Sequence, residues 1–195
     1  MLTQAQFKEL VFTVQDVVQV MDITIASARV MCSRYVNQGR LIRLRKGLYI
    51  FPERWEHLSP FERLQIANRI QPASYISLGT ALAWYEKTNQ MYQKRVESIA
   101  CKRSIKYEVA GWEYAYHQIG LQIYNGYERR EGAFIALPEK ALADIIYLQS
   151  LGRYAFDFAA LDWEAFNQET LLSYLNQLPG KTQQWWERYG SISRS

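Results

Sequence analysis

Three of the four consecutive side chains Arg43-Leu44-Arg45-Lys46 are cations, and Gly47 follows at once. Ile42 and Leu44 alternate with Arg43 and Arg45, a period of two that puts apolar groups on one face of a strand and guanidinium groups on the other. Lys46-Gly47 reads as a two-residue turn, Gly47 being free to take positive φ, and Leu48-Tyr49-Ile50-Phe51 returns as a second strand that Pro52 ends. A hairpin with cations at its tip suits a mobile arm that grips phosphates or a minor groove, with affinity that falls as salt rises. Bond-breaking chemistry has few candidates. His57 and His117 are the only histidines, and HExxH, GxSxG and phosphate-cradling glycine loops are absent. Cys32 and Cys101 stand far apart without a CxxC spacing, which argues for small buried hydrophobes over a disulfide framework or a zinc site. Lys140 and Asp144, four residues apart, are expected to form an ordinary helix-surface ion pair, and His117 a structural contact within a strand. No catalytic residue, metal or cofactor is therefore assigned, and the protein is not expected to be an enzyme.

The segment before the hairpin supplies a second set of groups. Thr24 is placed to cap a helix from Ile25 to about Gln38, which Gly39 stops. On a helical wheel, Ile25, Ala28, Cys32, Tyr35 and Val36 cluster and are expected to pack inward, while Ala26, Ser27, Val30, Ser33, Arg34 and Asn37 face out. This outer face is short-chained near its start, so its backbone can approach the floor of a DNA major groove, and the first residues of such a helix reach base edges. Thr24, Ser27 and Arg29 are expected to touch bases or flanking phosphates. Arg34, Arg43, Arg45 and Lys46 are expected to bind the phosphate backbone.

The elements that must position these groups follow from local pattern. Gln4–Val11 reads as a first helix, and Thr13, with Asp16 three residues on, opens a second to about Met21. Three short helices and then a basic hairpin are the order of a winged helix-turn-helix, assigned to residues 1–55. The charge has the same boundary. Residues 1–55 hold eight basic and four acidic side chains, whereas the remainder holds fifteen of each, so the whole net charge of +4 lies at one end. A basic module joined to a neutral body suits a phosphate-binding domain with a separate effector domain. Neither a run of about 18 apolar residues nor a signal-peptide pattern is present, so a cytoplasmic protein without a membrane partner is expected.

Residues 56–195 read as a mixed domain. Helices are expected over Pro60–Ile70, from a Ser77 cap to about Glu86, from Pro138 to Ser150 and from an Asn167 cap to Leu178, with a last amphipathic turn holding Trp185, Trp186 and Tyr189. Strands are expected at Val96–Cys101, Ile105–Val109, Trp112–Ile119 and Phe134–Ala136. The fold class is therefore α+β: a winged helix-turn-helix followed by a mixed α/β domain with a small, mainly antiparallel sheet and flanking helices. A second basic cluster, Lys94, Arg95, Lys102, Arg103 and Lys106, interleaves with Glu97, Glu108 and Glu113. Cross-strand ion pairing is the favoured explanation, with a supplementary nucleic-acid or partner surface as the alternative.

Assembled, these residues resemble the AbiEi family of antitoxins from bacterial type IV toxin–antitoxin (abortive-infection) systems. The likeness runs from about Phe7 to Leu148. Phe12-Thr13-Val14-Gln15-Asp16-Val17 and the run from Arg34 to Tyr49 carry its winged-helix part. Ala67-Asn68-Arg69, Pro72 to Leu82 and Ile135 to Asp144 carry its more specific part, and the stretch 84–93 departs from the family pattern. The resemblance implies an antitoxin that represses its own operon by binding inverted repeats in double-stranded DNA, two copies meeting on the operator. It also implies that the protein counteracts a nucleotidyltransferase toxin without needing to touch it. The alternative is a stand-alone winged-helix regulator whose C-terminal domain senses a ligand or partner.

Overall fold

Phe12–Thr13 (β1), Ile42–Arg45 (β2) and Leu48–Ile50 (β3) form an antiparallel sheet in the order β1-β3-β2, so the returning strand of the hairpin is its centre. Helices Val14–Met21 (α1) and Ile25–Asn37 (α2) lie between β1 and β2 in the chain. The computed structural model describes residues 2–90 and 93–190. Each helix starts where the sequence places a hydroxyl. Thr13 accepts from the Asp16 N–H at 3.3 Å while the Asp16 carboxylate accepts from the Thr13 N–H at 2.6 Å, a reciprocal capping box. Thr24 accepts from the Ser27 N–H at 3.2 Å. Gly39 (φ 67°) and Gly47 (φ 80°) take the left-handed conformations that stop α2 and turn the hairpin.

Two expectations fail here for physical reasons. The first helix shrinks to one 3₁₀ turn, Gln4–Gln6. The Arg54 guanidinium donates to the carbonyls of Gln4, Phe7 and Glu9, consuming acceptors that a longer helix needs. Phe7 then stacks on Phe12 with ring centroids 4.2 Å apart. Pro52 does not merely end a strand. It opens the helix Pro52–Glu56 (α3), since its fixed φ and missing N–H suit the first helical position, and α3 is what carries Arg54.

The remaining chain is α+β as expected. It runs through Pro60–Ile70 (α4), Ser74–Ile76 (β4), Leu78–Trp84 (α5), Arg95–Ala100 (β5), Ile105–Val109 (β6), Trp112–Gln118 (β7), Tyr127–Arg130 (β8), Ala133–Ala136 (β9), Pro138–Ser150 (α6), Gln168–Leu175 (α7) and Gly180–Tyr189 (α8). Its sheet has six strands in the order β6-β7-β5-β4-β9-β8, larger than the small sheet expected. Three of its pairings are antiparallel, and two, β5–β7 and β4–β9, are parallel. Register puts Tyr116, Ser98 and Ile76 on one face and Tyr75 on the other. Tyr116 donates to the Ala67 carbonyl of α4 at 2.7 Å, whereas Tyr75 donates to Asp144 of α6 at 3.0 Å, so α4 and α6 cover opposite faces.

The two parts meet through the hairpin. Phe12, Val17, Ala28, Cys32, Tyr35, Tyr49 and Phe51 share a small core among the N-terminal elements. Leu44, Leu48 and Ile50 point away from it and join the large core of the body. Burying each of these three is worth about 1.5–3 kcal/mol relative to exposure. The hairpin is consequently clamped between two cores and not the mobile arm expected, with β2 lying against β6. Among the described residues, no helix is long and apolar enough to cross a membrane.

Candidate nucleic-acid interface

The start of α1, the first turns of α2 and the hairpin tip enclose a cleft of about 540 Å³. Arg29, Arg43, Arg45 and Lys46 line it with Thr13, Gln15, Ile25 and Tyr49, and no lining residue is acidic. Asp16, the nearest carboxylate in sequence, is spent in the capping box with Thr13. The first turn of α2 also contains no acid, so its positive dipole end is uncompensated. Thr24 satisfies only the Ser27 N–H there. The Ile25 and Ala26 N–H groups, which cannot bond within the helix, have no acceptor among the described residues. Four cations thus line a cleft that also borders Ile25 in the open first turn of α2.

The expected residues divide into three groups. Arg29, Arg43, Arg45 and Lys46 come together in the cleft. Thr24 and Ser27 are exposed at the tip of α2 but already bonded to each other, Thr24 donating to Ser27 Oγ at 3.0 Å. Arg34 is exposed in the last turn, outside the cleft, where its charge complements the negative end of the helix dipole. Ile25, expected to pack inward, is 43% exposed and lines the cleft, whereas Val30, 69% exposed, lies about 140° around the helix from it and outside the cleft.

The hairpin departs from simple alternation. A bulge between Arg43 and Arg45 shifts the register, so Arg43 opposes Tyr49 while Arg45 opposes Leu48. Bulges re-aim side chains in this way. Arg43 stays exposed, its guanidinium carbon 5.9 Å from the centre of the Tyr49 ring. Arg45 is half-buried, donates to the Lys46 carbonyl at 3.3 Å, and sits near enough to Tyr116 to oppose the upward push that burial gives that phenol. Tyr49, Gln15 and Thr13 are cleft residues that the sequence reading passed over. Tyr49 comes to face Arg43 only through the bulge, since an unbulged two-residue hairpin would set it opposite Leu44.

The second basic cluster is built differently. Arg95 pairs with Glu97 at 2.9 Å and with Glu113 at 3.0 Å, and Lys106 pairs with Glu113 at 3.1 Å. Lys94, Lys102 and Arg103 are exposed and make no salt bridge among the described residues. His117 lies on the same face as Arg95 and Glu113. Burial, then the charges of Arg95, Arg153 and Lys106, hold its pKa down at about 4, and it meets Tyr154 edge-on at 5.6 Å.

Lys140 and Asp144 correct another expectation. The pair is not on a helix surface. Asp144 is 0% and Lys140 2% exposed, with Nζ 2.5 Å from Oδ1, and Ser77 and Tyr75 donate to the other oxygen at 2.8 and 3.0 Å. Burial pushes the Asp144 carboxyl up, and Lys140, Ser77 and Tyr75 oppose it. Ser77 occupies the N-cap of α5 as predicted, but its hydroxyl serves Asp144 instead of the helix. No protein-family model matches the chain, and no curated protein sequence matches it.

Proposed function

We propose that this protein is a sequence-specific DNA-binding regulator that docks as a winged helix-turn-helix. In this reading α2 enters the major groove by its first turns and the β2–β3 hairpin grips the flanking backbone. The observation that carries it is the cleft itself: four cations from two elements around one acid-free space. The three-residue connection Asp22-Ile23-Thr24 between α1 and α2 and the hairpin directly after α2 support the same docking. The test is salt-dependent binding to the DNA upstream of the gene. Changing Arg43, Arg45 and Lys46 together to Ala is expected to lower affinity by roughly a hundredfold to a thousandfold and to flatten the salt slope by about one unit per lost contact. Because Arg45 also packs inward, Arg43→Ala/Lys46→Ala is the companion variant that leaves the body untouched. Unchanged affinity in that pair sinks the cleft assignment.

The AbiEi resemblance extends the proposal to an antitoxin that represses its own operon at inverted repeats and counteracts a nucleotidyltransferase toxin. Growth of cells co-expressing this chain with a nucleotidyltransferase encoded by a neighbouring gene tests that role. Rescue supports it, and no rescue by a chain that still binds its operator leaves a stand-alone regulator. A specific observation favours that second reading: the body holds a sizeable cavity against the N-terminal module.

A further inference from the structure

Where α4, residues 9–11 and the β8–β9 edge meet, they enclose a cavity of about 640 Å³. That lies within the range of about 300–1,000 Å³ typical of small-molecule sites. Arg69 and Arg129 line it, and neither makes a salt bridge among the described residues. Unpaired guanidinium groups in a cleft select an anion, and their planar forks match phosphate oxygens.

The cavity also presents aromatic surface that is fixed in place. Tyr127 and Phe134 are 36% and 42% exposed, so both offer ring surface to the cavity. Tyr127 stacks on the buried Tyr75 at 4.6 Å and 14°, and meets Phe134 edge-on at 6.0 Å. Arg129 opposes Phe134 directly across β8–β9, so Tyr127, Arg129 and Phe134 share one face of that hairpin. Asn68, between the two sides, is held rigid: it accepts from the Phe134 N–H at 2.7 Å and donates to the Ser74 carbonyl at 3.1 Å, which leaves its second amide hydrogen free. Glu9 lines the wall contributed by the N-terminal module and offers a carboxylate acceptor to an exocyclic amine.

We infer that this cavity binds a free nucleotide, the base stacking on Phe134 with Tyr127 at its edge and the phosphate held by Arg69 and Arg129. An aliphatic anion would leave the rings unused, and a neutral aromatic would leave both guanidinium groups, which are exposed to solvent at the cavity, unused. Bases stack on such rings for about 1–3 kcal/mol each. The site stands apart from the DNA-binding reading, but its Glu9–Val11 wall runs straight into β1, so an occupant touches both parts of the molecule.

Calorimetric titration of the full chain with the ribonucleoside mono- and triphosphates tests this without any DNA, so its failure leaves the operator experiment standing. At least one nucleotide is expected to bind more tightly than about 1 mM, with its nucleoside and inorganic phosphate each at least tenfold weaker. Arg69→Ala and Arg129→Ala should each weaken binding about tenfold, and Phe134→Ala several-fold. No binding by any nucleotide at that concentration overturns the inference. So does binding that survives Arg69→Ala/Arg129→Ala in a protein whose melting is unchanged. A short single-stranded RNA that binds more than tenfold tighter than every mononucleotide also overturns it, reassigning the surface to a nucleic-acid strand.

Discussion

The N-terminal cleft and the ion-paired parts of the body, β5–β7 and α6, use the same cations in opposite ways. Around the cleft, Arg29, Arg43, Arg45 and Lys46 stand together with no lining carboxylate, and the nearby Asp16 is bound to its own helix start. In the body, Arg95, Lys106 and Lys140 each lie within 3.1 Å of a carboxylate oxygen. The difference is not one of cation density. It is whether the fold brings an acid to each base, and that decides whether a positive group is free to recognise an anion from outside. Net charge concentrated in residues 1–55 is the sequence-level shadow of this three-dimensional fact.

The largest expected effect tests the paired side of that comparison. Asp144→Ala leaves the Lys140 ammonium 2% exposed and without its counter-charge. Removing one member of a buried pair costs about 3–5 kcal/mol, which denaturant unfolding would read as a large fall in midpoint. Adding Lys140→Met is expected to recover part of the loss. If it recovers nothing, the stranded hydroxyls of Ser77 and Tyr75, not the ammonium, set the cost.

What could be read from the sequence depended on how far each interaction reaches along the chain. The caps at Thr13, Thr24 and Asn167 were legible because their hydrogen bonds close within three residues. Helices Pro60–Ile70 and Pro138–Ser150 were legible from apolar period and a proline at the first position. The cleft was legible in its cations and less so in its walls. A spacing of four between Lys140 and Asp144 places them on one helix face but does not say which face is buried. Tyr75 and Ser77 decide that, from 69 and 67 residues away. Strand β4 is too short to show a period, and β8, Tyr-Glu-Arg-Arg, has no apolar alternation, so the sheet looked smaller than it is. The inward turn of Arg45 depends on a bulge and on Tyr116, neither of which a hairpin pattern reveals.

A middle-sized effect comes from pH. His117 titrates near 6.5 when unfolded and at about 4 in the fold, so between those values the folded state binds fewer protons. Stability is therefore full above pH 6.5 and falls as pH drops toward 4. The loss between pH 7 and 5 is expected to be about 1 kcal/mol once discounted for the partial exposure of the ring. His117→Gln should flatten this stretch of the stability–pH curve, and an unchanged slope would assign the dependence to other groups.

The smallest effect separates two exposed lysines. Lys46, in the cleft, has no salt bridge among the described residues, whereas Lys106 is bonded to Glu113 at 3.1 Å. Each substituted singly by Ala should change stability by less than about 1 kcal/mol, since both are on the surface. On DNA they should part. Lys46→Ala is expected to lower the salt slope by about one unit, while Lys106→Ala leaves it unchanged, its charge being already paired with Glu113 away from the cleft. Equal loss from both would mean that DNA follows β2 onto the adjoining β6 and competes with Glu113 for Lys106. The paired and unpaired cations would then form one continuous surface, and the acid-free cleft would be only its most concentrated part.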